Sequence, residues 1–292
     1  MSDATQAEGD HSAASGTTDR RLAARVVQDW VPDATLTPLD AMNSSTWEVG
    51  GGPERYVLKI ADPGNQPGLH VASCLEGRGI QTGAPVRMAH VEGRLVALLR
   101  YVDGRPLVAS DAEAIGQTLG RIHRALSRCE PPAVIDRWPW PWLDPTAITD
   151  AELRWASVAA IERADSLAPS LTHGLLHGDP APEAFLATRT GVALIDWGSC
   201  CHGPLLFDVA SAVMYAGHRV IDGYADAGPL ASDELAQLEV LIRFRWALQA
   251  WYFSVRLASD DLTGIDDEAG NRKGLADARA GLGLSRVERR SS

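Results

Sequence analysis

The chain has 292 residues, 45% hydrophobic and 22% charged, with 27 basic against 38 acidic side chains and a net charge of −11. That is enough chain, of ordinary globular composition, to bury a large core as one domain or two lobes. The acidic balance argues against a nucleic-acid protein that works by neutralising phosphates, and no run of eighteen apolar residues is present to span a membrane.

The first stretch, "MSDATQAEGDHSAASGTTD", has neither the basic nor the apolar segment of a secretion signal and reads as a disordered tail over residues 1–19 of a cytoplasmic protein. "RRLAARVVQDWV" then carries helical spacing that Pro32 closes. "ATLTPLD", "STWEVGG" and "RYVLKI" alternate as three short strands, with "VGGGPE" as the turn between the last two. "GLHVASCLEGRGI" is a helix ending at Gly77 or Gly79, and "VRMAHVEGRLVALLRYV" a hairpin turning at Glu92-Gly93. These elements make a small, mostly antiparallel N-lobe over residues 20–101.

"DGRPL" leads into a helix, "SDAEAIGQTLGRIHRALSRC", with Ser110 as N-cap and Glu113 completing a capping box. "PPAVIDRWPWPWLDP" has too much proline for regular structure. "DAELRWASVAAIERADSLA", "LLFDVASAVMYAGHRV" and "SDELAQLEVLIRFRWALQAWYFSVRLAS" read as helices around one small hairpin, "AFLAT" and "VALIDW". The fold class is therefore α+β and bilobal, with a larger, mainly helical C-lobe over 102–280 and a C-terminal tail over 281–292.

Cys74, Cys129, Cys200 and Cys201 show no C-x-x-C or zinc-ligand spacing, so they are expected to be idle thiols in a reducing cytoplasm. Only two of the 27 basic residues are lysines, Lys59 and Lys273. In a chain so biased toward arginine, a lysine inside "RYVLKI" suggests a site that needs a compact point charge and not a planar fork.

The segment "HGDPAPEAFLATRTGVALIDWG", residues 177 to 198, places Asp179 and Asp196 at the tips of apolar runs. An aspartate opening a loop can orient a hydroxyl and take its proton. A second at a strand end can ligate Mg²⁺ on nucleotide phosphates, and Lys59 can hold phosphate oxygens from the other lobe. Phosphoryl transfer asks for little more than such positioning and charge. The small polar connection Asp40 to Ser45, with Asn43, Ser44 and Ser45, offers amides and hydroxyls to anionic oxygens.

"LLHGDPAPEAFL" followed by "VALIDWGSCCHGPLLFDVA" resembles the aminoglycoside phosphotransferase and choline-kinase-like family of small-molecule kinases, whose pattern runs H-G-D-x-x-x-x-N, I-D-[WF], G-x-x-x-x-D-[VL]-A. "YVLKI", "LVALLRYVDGRPL", "LGRIHRAL" and "RFRWALQAWYFSVRL" extend the likeness over roughly residues 20 to 280. The resemblance implies a protein-kinase-like fold, ATP or GTP and Mg²⁺ as cofactors, and a small-molecule hydroxyl as acceptor. It makes Asp179 the catalytic base or orienting residue, Asp196 the principal metal ligand, and Lys59 the phosphate-contacting lysine. It makes His177 a brace of the loop and Asp208 the tie between that loop and the next helix. Leu99, Tyr101 and Val102 fall where backbone meets the adenine.

Two departures accompany the resemblance. The family's asparagine, which holds a second metal and braces the aspartate, is replaced by Ala184. Glu183 substitutes for it, or the site binds metal weakly, or it is a non-catalytic nucleotide-binding relic. The glutamate that pairs with the lysine is either Glu76, late in its helix, or a position taken by His70. Acceptor-side candidates are His202, Arg245, Trp251, Tyr252, Asp260 and Asp261. The acceptor implied is an antibiotic or other natural product, cationic in keeping with the acidic chain, with an amino alcohol or sugar as the alternative. The protein is expected to act as a monomer or homodimer.

Overall fold

The structure, a computed structural model, describes residues 10–39, 44–263, 265 and 267–284. Helix α1 (Asp10–Trp30) precedes a five-stranded antiparallel sheet in the order β1-β2-β3-β5-β4, formed by β1 (Thr35–Leu39), β2 (Ser45–Gly50), β3 (Tyr56–Ala61), β4 (Pro85–Val91) and β5 (Arg94–Arg100). The helix reaches back to Asp10, into the stretch expected to be a tail. Alanine-containing sequence without proline suits a helix as well as it suits a tail.

Period-two alternation gives the sheet two different faces. Leu58 and Ile60 of β3 are buried with Val96, Leu98 and Trp47 beneath Leu22, Ala23, Val26 and Val27 of α1. Lys59 lies on the opposite face with Ala61 and Ala97, facing α2 (Gln66–Glu76) and its Leu69. Val71, Ala72 and Leu75 of α2 also belong to the main core of the second lobe, so one helix serves both lobes.

That second lobe contains α3 (Ala112–Leu126), α4 (Ala151–Leu167), α5 (Leu206–Ala216), α6 (Arg219–Ala227), α7 (Ser232–Leu235), α8 (Leu238–Ala258) and α9 (Glu268–Gly281). Short strands β6 (Arg105–Pro106), β8 (Phe185–Thr188) and β9 (Gly191–Leu194) form one small sheet, and β7 (His173–Leu176) pairs with β10 (Cys201–Pro204) in another. Ile115, Leu119, Phe185, Trp197, Phe207, Tyr224 and Phe244 lie in its core. None of the described helices is long and apolar enough to cross a membrane.

Three further expectations need correction. The residue before α3 is Asp111, not Ser110: a 3₁₀ turn over Ala109–Asp111 intervenes, and the Asp111 carboxylate accepts from the Val108 amide at 3.1 Å. Helix α9 lies beyond the last helix read from the sequence and packs Ala278 and Leu282 against α4 and α8. Cys74 and Cys129 are not free thiols but a disulfide, 55 residues apart, joining the last turn of α2 to the segment just after α3. No spacing motif announces that pair because the fold, and not local sequence, brings its Cα atoms to 6.2 Å. Cys200 and Cys201 are free and buried, and burial, followed by the charge of Asp208, pushes both thiols up.

Asp208 on α5 has no exposure to water. Its Oδ2 accepts from the His177 amide at 2.7 Å and lies 3.1 Å from His123 Nε2 of α3, and its Oδ1 accepts from the Gly178 amide at 2.9 Å. Burial, then the Asp208 charge, keeps the Tyr224 phenol protonated, so its hydroxyl donates to His123 Nδ1 at 2.7 Å and His123 Nε2–H donates to Asp208. Removing the carboxylate strands two buried amides and an imidazole. We expect Asp208→Ala to lose about 3 kcal/mol of stability, seen as a lower urea midpoint at unchanged slope. A midpoint equal to that of the wild type would mean that Asp208 does not hold the loop.

Candidate active site

The His-Gly-Asp loop turns sharply between β7 and β8, and Gly178 is what permits the turn. Its φ is +90°, and a Cβ there would lie 2.0 Å from the Ser199 carbonyl oxygen. His177, 1% exposed, places Nε2 2.8 Å from the Ile195 carbonyl and accepts from the Asp179 amide on Nδ1 at 3.4 Å. Since a carbonyl can only accept, the proton resides on Nε2. One buried imidazole therefore ties the backbone of both aspartate-bearing segments together.

Asp196 follows β9 in a left-handed conformation, φ 65° and ψ 59°, uncommon for any residue but glycine and better tolerated by aspartate than by most. Its Oδ1 meets Lys59 Nζ at 2.5 Å. Desolvation works to raise this carboxyl, but the Lys59 ammonium, their hydrogen bond, His177 and the Gly198 amide outweigh it and hold it below the usual carboxylate range. The Lys59 side chain shares a small pocket with Ala61, Leu69, Leu95, Ala97, Asn65 and Gly198. Asn65 Nδ2 donates to the Gly198 carbonyl at 3.2 Å. Gly68 packs so closely that a Cβ would lie 1.8 Å from the Trp197 oxygen. The start of α2 is thus seated directly on the loop that carries Asp196.

Asp179 receives two donors on one oxygen. Tyr215 Oη donates to Oδ1 at 2.9 Å, and Arg245 Nη2 donates to the same oxygen at 2.9 Å and to Tyr215 Oη at 2.6 Å. Burial raises the Tyr215 phenol, the Asp179 charge adds to this, and the opposing effect of Arg245 is smaller; the hydroxyl therefore acts as a donor. Burial would lower the Arg245 guanidinium, yet Tyr215 and Asp179 more than compensate, so it stays charged. Tyr215 was not singled out from the sequence. Its signal is register: it lies seven residues after Asp208 on α5, on the same helical face. His123, a lone histidine on the apolar side of α3, was missed too, as was Asn65.

Other candidates go elsewhere. Glu76 does not reach Lys59: its Oε2 accepts from the Thr82 amide at 2.9 Å and the Thr82 hydroxyl at 2.8 Å, because it ends α2 next to the chain reversal at Gly77. His70 is exposed. The Ser44 and Ser45 hydroxyls are not free for an anion, since Ser44 Oγ pairs with Thr46 Oγ1 at 3.0 Å and Ser45 Oγ donates to the buried Asp19 at 2.7 Å. Asn43 lies outside the described residues.

Leu99 sits in β5 opposite Val57, and the Tyr101 amide donates to the Arg55 carbonyl at 3.4 Å, with the Arg55 guanidinium 3.7 Å above the Tyr101 ring. Val102 and Ile195 flank Gly83. His202 belongs to β10 beside Leu175, and burial, Arg137 and His173 lower its imidazole; it has no hydrogen bond to either aspartate. Trp251 packs on Trp142, ring centres 5.3 Å apart. The Tyr252 hydroxyl accepts from Arg256 Nη1 at 3.0 Å, and burial raises this phenol against the opposing effect of Arg256. Asp260 is exposed in a left-handed conformation, and Asp261 pairs with Arg256 at 3.4 Å.

Glu183 is exposed and its charge reaches Tyr215, whereas neighbouring Ala184 is buried in the main core and offers no side-chain ligand. Among the described residues no three His, Cys, Asp or Glu side chains cluster to hold a metal unaided. Asp196 is nonetheless 62% exposed, and Mg²⁺ asks for only one or two carboxylates when phosphates and water complete its shell. The donor set fits a magnesium ion that arrives with a nucleotide.

No curated protein matches the sequence. Among solved structures, the microcompartment-associated aminopropanol kinase is 17% identical with a TM-score of 0.70, covering 91% of this chain and 95% of its own. An amicoumacin kinase in complex with AMP-PNP and Ca²⁺ is also 17% identical, at TM-score 0.68, covering 85% and 87%. A thermostable mutant of the aminoglycoside phosphotransferase APH(4)-Ia, in ternary complex with ADP and hygromycin B, is 17% identical at TM-score 0.62, covering 89% and 96%. Residues 35–240 match the phosphotransferase enzyme family. That span takes in Lys59, the His-Gly-Asp loop, Asp196 and Asp208, and by it this bilobal, kinase-like chain is a member of the phosphotransferase enzyme family.

Proposed function

We propose that the protein transfers the γ-phosphate of ATP to a hydroxyl of a small molecule. The observation that carries this reading is that one buried histidine, His177, is bonded to both aspartate segments while Lys59 of the other lobe meets Asp196 at 2.5 Å. In the reaction the acceptor oxygen bonds to the γ-phosphorus. The bond to the bridging oxygen breaks, its electron pair leaves on ADP, and the hydroxyl proton passes to Asp179. Lys59 exchanges Asp196 for phosphate oxygens as the triphosphate enters. Asp196, with Glu183 as second candidate, would hold Mg²⁺, which when bound supplies charge neutralisation at the phosphates.

The acceptor we favour is an antibiotic or other natural product bearing an amino group. Exposed Glu183, whose charge acts on Tyr215 beside Asp179, would suit a cation, and kinases of similar fold act on amicoumacin or bind hygromycin B. The aminopropanol kinase makes an amino alcohol the second choice. Ala184, with no side-chain ligand to offer, favours a further reading in which the chain binds nucleotide without turnover.

Release of ADP from Mg-ATP over a panel of antibiotics, amino alcohols and sugars tests the proposal. Turnover with a hydroxyl acceptor supports it, whereas nucleotide binding with no transfer to any of them supports the non-catalytic reading. Asp179→Asn, which keeps an acceptor for Arg245, is expected to cut kcat by about 10²–10⁴-fold while ATP affinity stays unchanged. Full activity in that variant would refute the role of Asp179. Asp196→Ala should abolish the magnesium dependence of ATP affinity in titrations with and without the ion; an unaltered dependence places the metal elsewhere.

A further inference from the structure

Arg245 presents a physical puzzle. Its side chain is 9% exposed, its Nε is buried with no hydrogen-bond partner, and its ion pair is with Asp179, itself 42% exposed. Burying a guanidinium against one half-exposed carboxylate, with a donor left unmatched, is a poor way to stabilise a fold; an apolar side chain of similar size does better. Its Nη2 is committed to Asp179 and Tyr215, and its Nε is shut off from solvent.

What the arrangement does achieve is to distinguish the two oxygens of Asp179. Tyr215 from α5 and Arg245 from α8 both donate to Oδ1 and to nothing else in common, closing a triangle with edges of 2.9, 2.9 and 2.6 Å. Oδ2 has no partner among the described residues. A carboxylate gripped by one oxygen can rotate little about its Cβ–Cγ bond, so the free oxygen points in one direction. Helix α5 acts at both ends of this loop: Asp208 holds the amides of His177 and Gly178, and Tyr215, two turns on, holds the side chain of Asp179.

We propose that Arg245 and Tyr215 are positioning residues for phosphoryl transfer, which fix Oδ1 of Asp179 so that Oδ2 alone is presented to the acceptor hydroxyl. The inference rests on the function proposed above and revises the expectation that Arg245 contacts the acceptor. It also accounts for how the site operates with alanine at 184, because the carboxylate is braced from two helices and not from its own loop.

The test uses the full chain, Mg-ATP and whichever acceptor the panel returns. Tyr215→Phe removes one donor without changing shape and should lower kcat about tenfold. Arg245→Gln should lower it about a hundredfold and Arg245→Lys less, with the KM for ATP unchanged in all three. In the Asp179→Asn background, Tyr215→Phe should cause no further loss, since a residue that acts through Asp179 has nothing left to aim. A purely packing role would lower activity in both backgrounds. Because Arg245→Gln leaves a buried carboxamide, which folding tolerates poorly, the Tyr215→Phe cycle decides the matter. The inference is overturned if Tyr215→Phe keeps wild-type kcat, if its effect persists in the Asp179→Asn background, or if the Arg245 variants raise the acceptor KM at constant kcat. Wild-type protein that transfers phosphate to no acceptor overturns the proposed function itself, and this inference with it.

Discussion

A carboxylate sealed from water must satisfy its charge from neighbours that cannot move, and Asp208 is in that position. Its donors are the amides of His177 and Gly178 and the ring of His123. The loop conformation that Gly178 permits is therefore held from below by a buried ion, through bonds that burial makes strong. From there the constraint travels outward: the His177 ring fixes the carbonyl before Asp196 and the amide of Asp179. Both exposed aspartates are referenced to one interior group, and their spacing follows from it.

The first lobe is attached through a helix and not through its sheet. Asn65 and Gly68 seat the start of α2 on the loop after Asp196, and Val71, Ala72 and Leu75 enter the core of the second lobe. The Cys74–Cys129 disulfide secures the far end of the same helix. The Lys59–Asp196 pair is not what joins the lobes, because an ion pair with one partner 62% exposed contributes little by itself. Apolar burial along α2 sets the separation, and the charges meet because that separation suits them.

Much of this was legible in the sequence, for reasons that can be stated. Strand alternation located β1 to β5, and a lysine in an arginine-rich chain drew attention to position 59. The two aspartates stood out because carboxylates rarely follow apolar runs without a purpose. Long-range partnerships were not legible. Glu76 has the right charge in the right helix, yet its carboxylate caps the Thr82 turn. Ser45 has the right composition for an anion cradle, yet Asp19 on α1 takes its hydroxyl. Composition places a group on a segment; which of several possible partners it meets is decided by packing across 26 residues in that case and 55 in that of the cysteines. Arg245, expected on the acceptor side, proves nearly buried beside Asp179, since a helix period shows a face but not the depth at which it lies.

The two cation–carboxylate pairs share an asymmetry that bears on the acceptor. Lys59 is 15% exposed against 62% for Asp196, and Arg245 is 9% exposed against 42% for Asp179. In both, the positive partner is held within the protein and the negative partner faces outward. Attraction to an anion entering from solvent is thereby weakened unless a cation accompanies it, which is how a magnesium–nucleotide complex differs from the bare nucleotide. The half-exposed Asp179 and exposed Glu183 carry like charge in one region, where both raise the Tyr215 phenol. Under the function proposed above, a hydroxyl compound that brings its own positive charge would meet these carboxylates without a like-charge contact, whereas an anionic acceptor would face repulsion from both.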